Sequence, residues 1–290
     1  MVGSEAALLM LATVGSNAKK PHPSMRNYLF FFLILNLIEL TNAQFSTSKK
    51  IEYSRIVGDS FEIYISIPKS FSPDESYNIV YYFDANLKSG QLLQEQISTD
   101  QYNVKLKNRI FVGVGHIGNY HVLRRRDFIL PFINENDTSG RDQNYGQTEK
   151  FYQYLKEELI PSINFKFKTN TDSNSIIGHS LGGLFVFYCL FKSNNLFSKY
   201  FALSPALWID KYSIYRFNKI NGGFTDKKFL YFASGSKEKT NKILNGTNKA
   251  KQFLDKMNYN NLTYEYHILK GKTHNSEVAI SLKKILMEKL

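Results

Sequence analysis

The feature that most constrains the fold is a serine flanked by two glycines, in the pentapeptide Gly178-His179-Ser180-Leu181-Gly182. A short apolar segment that resembles a strand precedes it, and the apolar run Leu184–Tyr188 that follows resembles a helix. A serine on a sharp turn between a strand and a helix has a strained backbone, and its glycine neighbours allow the turn to close. The pattern predicts a nucleophile elbow that lifts the Ser180 hydroxyl above the edge of a sheet. A tight turn that contains serine by chance is the alternative.

A serine at an elbow needs a neighbouring base, because a hydroxyl is a poor nucleophile until its proton is removed. His274 lies in the loop between the last predicted strand and the C-terminal helix. In a parallel sheet this loop emerges at the same edge as the elbow, so we expect His274 to reach Ser180. His179 is expected to point away from the serine hydroxyl, and His267 lies within a strand. An ordinary surface histidine is the alternative for His274.

The base in turn needs a carboxylate that fixes its tautomer and stabilises the imidazolium ion. Chain order places this acid between the serine and the histidine, after the penultimate strand, where Glu238 is the first candidate. Asp210 and Asp226 are alternatives. Glu238 could equally be a solvated loop charge, since a lysine lies on either side of it.

Two backbone amides are expected to hold the oxyanion that forms when the serine attacks a carbonyl group. The first is the amide of Leu181 at the start of the helix. The second should come from the loop after the third strand, where the run Phe83-Asp84-Ala85-Asn86 nominates the amide of Asn86 and, as a second choice, that of Ala85. The His-Gly-Gly-Gly motif of lipases is absent from this loop.

Strand-like and helical segments alternate from residue 51 to the C-terminus. Ile51–Val57 and Phe61–Pro68 predict an antiparallel hairpin, and the later strands are short apolar runs typical of parallel sheets. Gln147–Ile160 predicts an amphipathic helix that ends at Pro161. We therefore predict an α/β fold, with a mostly parallel central sheet, an N-terminal antiparallel hairpin and helices on both faces. The site lies at the carboxyl ends of the strands, under a loop formed by residues 117–146.

The first 43 residues are predicted to lie outside the fold, and residues 25–43 of them to be a targeting segment. Met25-Arg26-Asn27 is followed by the apolar run Tyr28–Leu40 and by Thr41-Asn42-Ala43, which is the anatomy of a secretory signal peptide. The apolar run is too short to span a bilayer, although an uncleaved N-terminal anchor is the alternative. We predict an upstream extension at residues 1–24, a signal peptide at 25–43 and a single catalytic domain at 44–290. The mature protein would be secreted or periplasmic, without a stable membrane anchor.

Composition narrows the classes of partner. A hydrophobic content of 43% over 290 residues excludes a disordered chain. The net charge of +12 is spread over many lysines, with no cluster of arginine and aromatic residues, so we predict no nucleic-acid partner. No His-Glu-x-x-His motif or pair of closely spaced histidines occurs, so we predict neither a metal site nor a cofactor. Cys189 is expected to be a buried core residue. The sequence specifies no oligomeric state.

From about residue 50 to its C-terminus, the chain resembles the esterase branch of the α/β-hydrolase superfamily, nearest the siderophore (enterobactin-type) esterase subgroup. Five segments in the expected order carry the resemblance: Tyr81-Tyr82-Phe83-Asp84, Arg124-Arg125-Arg126-Asp127-Phe128, Glu157-Glu158-Leu159-Ile160-Pro161, the elbow from Ile177 to Leu184, and Ala202-Leu203-Ser204-Pro205-Ala206-Leu207-Trp208. The resemblance implies an α/β-hydrolase fold, with Ser180 as nucleophile, His274 as base and Glu238 near the acid position. Some members of the subgroup work with a Ser-His dyad instead, so the resemblance leaves the role of Glu238 open.

The resemblance also draws attention to a substrate pocket with Trp208, Arg124 and Arg126 as candidate lining residues. The arginines could bind an anionic substrate, or they could tie the 117–146 loop to Asp127. Ala85 stands where the branch has glycine, and Ile209 follows Trp208 where a second aromatic residue is common. Both departures affect the pocket, so the resemblance does not identify the substrate.

Taken together, the motifs predict a serine hydrolase that cleaves a small-molecule carboxylic ester through an acyl-enzyme. Siderophore-type and carbohydrate-linked esters are the two substrate classes considered. An acyltransferase that uses the same Ser-His site, and a catalytically silent binding protein on the same fold, are the alternatives.

Overall fold

An eight-stranded sheet with strand order β1-β2-β4-β3-β5-β6-β7-β8 organises the computed structural model, which describes residues 44–99, 103–131, 145–192 and 195–290. The strands are β1 (Phe45–Ser54), β2 (Asp59–Pro68), β3 (Asn78–Phe83), β4 (Arg109–His116), β5 (Ser175–His179), β6 (Lys199–Leu203), β7 (Gly223–Gly235) and β8 (Asn260–Leu269). β1 and β2 form the N-terminal antiparallel hairpin, and β2 also pairs antiparallel with β4. The remaining neighbours pair in parallel, so the predicted mostly parallel sheet is confirmed.

Helices cover both faces of the sheet, because the strands carry apolar side chains on both faces. The α-helices are α1 (Lys88–Ile97), α2 (Asn103–Leu106), α3 (Tyr120–Phe128), α4 (Thr148–Tyr154), α5 (Ile160–Lys166), α6 (Leu181–Phe191), α7 (Asn241–Met257) and α8 (Ser276–Lys284). On β3, Tyr81 and Phe83 face one apolar core, whereas Val80 and Tyr82 face the other. This two-sided core confirms the predicted α/β layering, with helices on both faces of the sheet. Among the described residues, no helix is both long and apolar enough to cross a bilayer.

Two boundaries differ from the sequence predictions. The helix predicted to end at Pro161 continues to Lys166, so that prediction is wrong. A π-helical turn at Leu155–Leu159 joins α4 to α5, and the amide of Ile160 donates to the carbonyl of Leu155. Pro161 thus lies in the first turn of α5, where its missing N–H costs little. The stretch predicted as a loop, 117–146, contains helix α3, and its residues 132–144 lie outside the described residues. Residues 1–43, with the predicted signal peptide, also lie outside them.

Helix α6 follows the elbow. Its side chains are apolar on every face of the helix, which suits a helix that is surrounded by other parts of the protein. Ten of its residues are buried, and they include Cys189, as the sequence predicted. The ring of Phe185 lies 5.1 Å from that of Phe83 on β3 and 5.1 Å from that of Phe151 on α4, measured between centroids. Phe185 therefore fixes α6, and with it the elbow, against the sheet.

We expect Phe185→Ala to lower the free energy of unfolding by about 3–5 kcal/mol, because it removes a fully buried ring from a core that cannot collapse around the cavity. Urea denaturation followed by circular dichroism measures this change. Phe165→Ala is the matched control: Phe165 is 97% exposed, so its replacement should change stability by less than about 0.5 kcal/mol. Equal losses in the two variants would contradict this description of the core.

Candidate active site

Ser180 lies on the sharp turn between β5 and α6. Its φ of 59° and ψ of −114° fall in a region that residues other than glycine rarely adopt. Neighbouring strands hold the turn in place: the Ser180 amide donates to the carbonyl of Leu203 (2.9 Å), and the amide of Ala206 donates to the carbonyl of Ser180 (3.0 Å). A strained backbone that its surroundings maintain in this way is frequent at functional sites. The observed turn has the conformation expected of a nucleophile elbow.

The two glycines of the pentapeptide have different roles. A Cβ atom on Gly178 would lie 2.2 Å from the carbonyl oxygen of Gly182, so the turn closes only with glycine at 178. At Gly182 itself the nearest atom to an added Cβ would be Asp84 Oδ2 at 3.6 Å, an ordinary contact. The expectation that both positions must lack a Cβ is therefore correct for Gly178 and wrong for Gly182. The reason is that the close contact lies between the Cα atom of Gly178 and the backbone carbonyl of Gly182, so only a side chain at position 178 would enter it.

We expect Gly178→Ala to lower the free energy of unfolding by about 3 kcal/mol, because an extra methyl group meets backbone atoms that cannot move aside. Gly182→Ala, at the other end of the same pentapeptide, should cost less than about 1 kcal/mol and serves as the control. Urea unfolding of both variants makes the comparison. The steric argument fails if Gly182→Ala proves to be the more damaging change.

His274 and Glu238 form a hydrogen-bonded pair in two neighbouring loops, after β8 and after β7. His274 Nδ1 lies 2.9 Å from Glu238 Oε2, and the Glu238 side chain is only 3% exposed. The second carboxyl oxygen, Oε1, accepts hydrogen bonds from the Ser204 hydroxyl (2.7 Å) and from the amide of Gly235 (3.3 Å). Burial acts to raise the pKa of Glu238, but the hydrogen bonds from His274 and Ser204 outweigh it and lower the pKa below its usual range. Glu238 is thus a carboxylate that these hydrogen bonds fix in position against His274.

His179 supports the same histidine from the elbow side. Its Nε2 lies 3.0 Å from the backbone carbonyl of His274, and burial lowers the pKa of His179 to about 3. The ring is therefore neutral at pH 7, and only the tautomer with a proton on Nε2 can donate to that carbonyl. Sequence reasoning missed this contact, because the partner lies 95 positions away along the chain.

The two predicted oxyanion donors differ in their placement. Leu181 lines the cavity at Ser180, and its amide belongs to the first turn of α6, where amides have no acceptor within the helix. After β3, Asp84 adopts a positive φ of 57°, and the Ala85 amide donates to Val114 (3.1 Å), which removes it as a candidate. Asn86 is not among the residues that line the cavity, and its side chain donates to the carbonyl of His116 (2.7 Å). The Asn86 amide stays a prediction.

The arginines of α3 separate into three roles. Arg124 makes two hydrogen bonds to Asp84, from Nε (2.7 Å) and from Nη2 (2.9 Å), and it lines the cavity. Arg126 is buried, pairs with Asp127 (2.7 Å) and Asp59 (2.6 Å), and is absent from the cavity lining, so the structure does not place it in the candidate pocket. Arg125 is exposed and lines the cavity. Helical geometry explains the difference, since consecutive residues of a helix face different directions.

A cavity of about 1370 Å³ opens above Ser180 and is lined by Glu238 and His274 as well. Its cationic side chains outnumber its acidic ones and belong to Arg124, Arg125, Lys211, Lys239 and Lys242. Trp208, a predicted pocket residue, lies in this lining, and the ammonium group of Lys242 lies 4.7 Å from its ring centroid. A second pocket of about 240 Å³ also touches Ser180 and His274, together with the Arg124–Asp84 pair. Among the described residues, no group of three or more His, Cys, Asp or Glu could hold a metal ion.

Comparison with known protein families gives a match over most of the chain. The family model described as "Putative esterase" matches residues 54–286. The chain is 28% identical to ferri-bacillibactin esterase BesA of Bacillus subtilis over 181 residues, which cover 57% of this chain and 60% of that protein. It is 26% identical to apo-salmochelin esterase of Escherichia coli O6:H1 over 153 residues, which cover 51% of this chain and 47% of that protein. The matched region thus spans about half the length of these relatives.

Solved structures give longer matches. The BES protein from Bacillus cereus superposes with a TM-score of 0.71 at 26% identity, over 83% of this chain and 94% of that chain. Siderophore hydrolase EstB from Aspergillus nidulans superposes with a TM-score of 0.67 at 19% identity, over 84% of this chain and 96% of that chain. The second likeness establishes a shared fold.

Proposed function

Because the chain belongs to the family described as "Putative esterase", we propose that it is a serine esterase that cleaves carboxylic esters through an acyl-enzyme. One observation carries the proposal: the buried Glu238 holds His274 at 2.9 Å in the cavity that also contains the strained Ser180. Unrelated hydrolases that place a serine nucleophile, a histidine base and an orienting acid in one site perform acyl transfer. Membership of the family and the geometry of the site support the same reaction.

In the proposed mechanism, Ser180 Oγ attacks the carbonyl carbon of the ester while His274 Nε2 accepts the serine proton. Glu238 stabilises the resulting imidazolium, since its carboxylate lies against Nδ1. The developing oxyanion is held by the amide of Leu181 and, in our proposal, by that of Asn86. His274 then protonates the departing alcohol oxygen, which leaves an acyl group on Ser180. A water molecule, deprotonated by His274, attacks this acyl group and releases the acid.

We propose an iron-bound siderophore ester as the substrate. The cavity exceeds the roughly 300–1,000 Å³ that most small-molecule sites offer, which suits a bulky ester. Its cationic lining favours an anionic ligand, and Trp208 offers an aromatic face. The guanidinium of Arg124 uses Nε and Nη2 for Asp84, and within the described residues its Nη1 makes no hydrogen bond, so it can serve a substrate oxygen. Both relatives are named as siderophore esterases, and the name of one of them, the ferri-bacillibactin esterase, specifies the iron-bound form.

A panel of esters tests the proposal. Purified protein is incubated with a ferric trilactone siderophore, its iron-free form, a feruloylated or acetylated saccharide and a simple aryl ester, each with and without an added alcohol acceptor. We expect the ferric siderophore to be cleaved to free acids with the highest kcat/KM, and the Ser180→Ala protein to be inactive in every arm. Transfer of the acyl group to the alcohol would make the protein an acyltransferase. No cleavage of any ester would contradict the proposed activity.

We propose in addition that residues 25–43 direct export and are removed after Ala43. The first strand, β1, begins at Phe45, so cleavage there would leave the described domain whole. N-terminal sequencing of the protein recovered from outside the cytoplasm of the expressing cell tests this. A mature chain that starts at Gln44 is the expected result, whereas retention of residues 25–43 would contradict it.

A further inference from the structure

A second acidic side chain lies directly behind the candidate triad. Glu277 is in the first turn of α8, three residues after His274, and it is fully buried. Its Oε2 accepts a hydrogen bond from the hydroxyl of Ser281 (2.7 Å), which in turn lies 3.2 Å from the hydroxyl of Tyr231 on β7. The other oxygen, Oε1, is buried and has no hydrogen-bond partner among the described residues. A buried polar atom in this condition requires an explanation.

The surroundings of Glu277 favour the neutral acid. The groups that act on it are Ser281 on its own helix, Ser204 after β6 and the carboxylate of Glu238 after β7, and no cation is among them. Two neighbouring carboxyl groups without a cation between them do not both ionise, and Glu238 already has His274 as its partner. Burial raises the pKa of Glu277 to about 8; the Glu238 carboxylate acts in the same direction, and the hydroxyls of Ser281 and Ser204 act against it. The start of α8 favours an anion, but this effect is smaller than the cost of burying an unpaired charge.

Ser204 lies between the two acids. It follows β6 with a positive φ of 40°, its amide donates to the carbonyl of Ala233 (2.7 Å), and its side chain is fully buried. Its hydroxyl donates its one proton in a hydrogen bond to Glu238 Oε1 (2.7 Å). A hydroxyl that donates still has lone pairs with which it can accept. A proton on Glu277 could therefore be donated to Ser204, and that bond would fix which way the Ser204 proton points.

We propose that Glu277 is a positioning residue that acts as a protonated acid: it donates to Ser204, Ser204 donates to Glu238, and Glu238 orients His274. The inference rests on the proposed function, because it assigns Glu277 a role in the same reaction. Ser204 and Glu277 do not line the cavity above Ser180, so Glu277 would act without touching the substrate. Its effect is therefore expected in kcat and not in KM.

Four variants test the proposal with an aryl ester and with a fluorophosphonate probe that labels an active serine. We expect Ser204→Ala and Glu277→Leu each to lower kcat and the labelling rate by about tenfold with KM unchanged, since each breaks one link of the chain. Glu277→Gln can still donate to Ser204, so it should recover most of this loss. Glu288→Leu is the matched control: Glu288 is exposed and pairs with Lys284 on the surface, so kcat should not change. Thermal unfolding identifies any variant that fails to fold.

Two further readouts distinguish positioning from a structural role. The double variant Ser204→Ala/Glu277→Leu should lose no more than the worse single variant, because both act through Glu238. The wild type should also show a change in kcat near pH 8 that Glu277→Gln lacks, since ionisation of Glu277 places a second charge beside Glu238. A folded Glu277→Leu with wild-type kcat, a Glu277→Gln as impaired as Glu277→Leu, or losses that multiply in the double variant would each overturn the inference. A wild-type protein that is not labelled at all would instead contradict the proposed function.

Discussion

Replacement of either Ser180 or His274 by alanine is expected to lower kcat for ester hydrolysis by about 10⁶-fold, while the protein keeps its fold. Ser180 supplies the bond-forming oxygen, and without His274 the hydroxyl keeps its proton at neutral pH. The two residues act as one unit, so the double variant should lose no more activity than either single variant. Steady-state kinetics with an activated aryl ester measures all three losses, and circular dichroism checks the fold.

His267→Ala provides the matched control for the histidine. His267 lies on β8 and contacts Glu265 (3.2 Å) at the surface of the sheet, away from the lining of the cavity. We expect its kcat to stay within a few-fold of the wild type. A His274→Ala protein that retained more than about one per cent of wild-type kcat would exclude His274 as the base, because an unassisted serine cannot sustain that rate.

The second large effect is expected at Glu238. Its replacement by alanine should lower kcat by about 10⁴-fold, because the imidazole loses both its orientation and the charge that stabilises its protonated form. Replacement by glutamine should cost a similar amount, since an amide can donate to Nδ1 and so favour the wrong tautomer. Stopped assays across a range of enzyme concentrations make losses of this size measurable.

Asp210→Ala is the control for Glu238, because Asp210 was the rival acid from the sequence and lines the same cavity. Its backbone φ of 47° belongs to a left-handed turn at the edge of the cavity, whereas the carboxylate that lies against His274 Nδ1 is that of Glu238. We expect Asp210→Ala to affect KM more than kcat. Near-full activity of Glu238→Ala would mean that the site works as a Ser-His dyad, and a large loss of kcat in Asp210→Ala would reverse the assignment of the acid.

Acidic pH offers an independent check on Glu238. Its pKa in the folded protein is lowered, so the carboxylate contributes stability that is fully present above the pKa it has in the unfolded chain. That contribution is lost as the pH falls through the lowered value. Glu238→Gln should therefore destabilise the protein at neutral pH, and the difference from the wild type should shrink in acid.

The parts of the site that were predictable depend on local pattern or on chain order. The elbow is readable from five consecutive residues, because one close approach at Gly178 dictates the turn. His274 and Glu238 are readable from their place after the last two strands, since parallel strands all deliver their following loops to the same edge. The hairpin and the buried strands follow from the alternation or continuity of apolar residues.

The parts that were not predictable depend on contacts between distant residues. Arg125 and Arg126 are neighbours in sequence, yet Asp59, 67 positions before Arg126, draws that residue away from the cavity. Pro161 reads as the end of a helix unless the π-helical turn before it is known. Ser204 and Glu277 carry no local signal, because their relation to Glu238 appears only when β6, β7 and α8 are brought together.

The most direct test of the account is the identity of the residue that reacts with a fluorophosphonate. The wild-type protein is treated with the probe, and intact-mass measurement followed by peptide mapping locates the adduct. We predict a single adduct on Ser180, formed at a rate that falls sharply in His274→Ala, and none in Ser180→Ala. An unmodified wild-type protein, or an adduct on another serine, would contradict the central claim that Ser180 is the nucleophile.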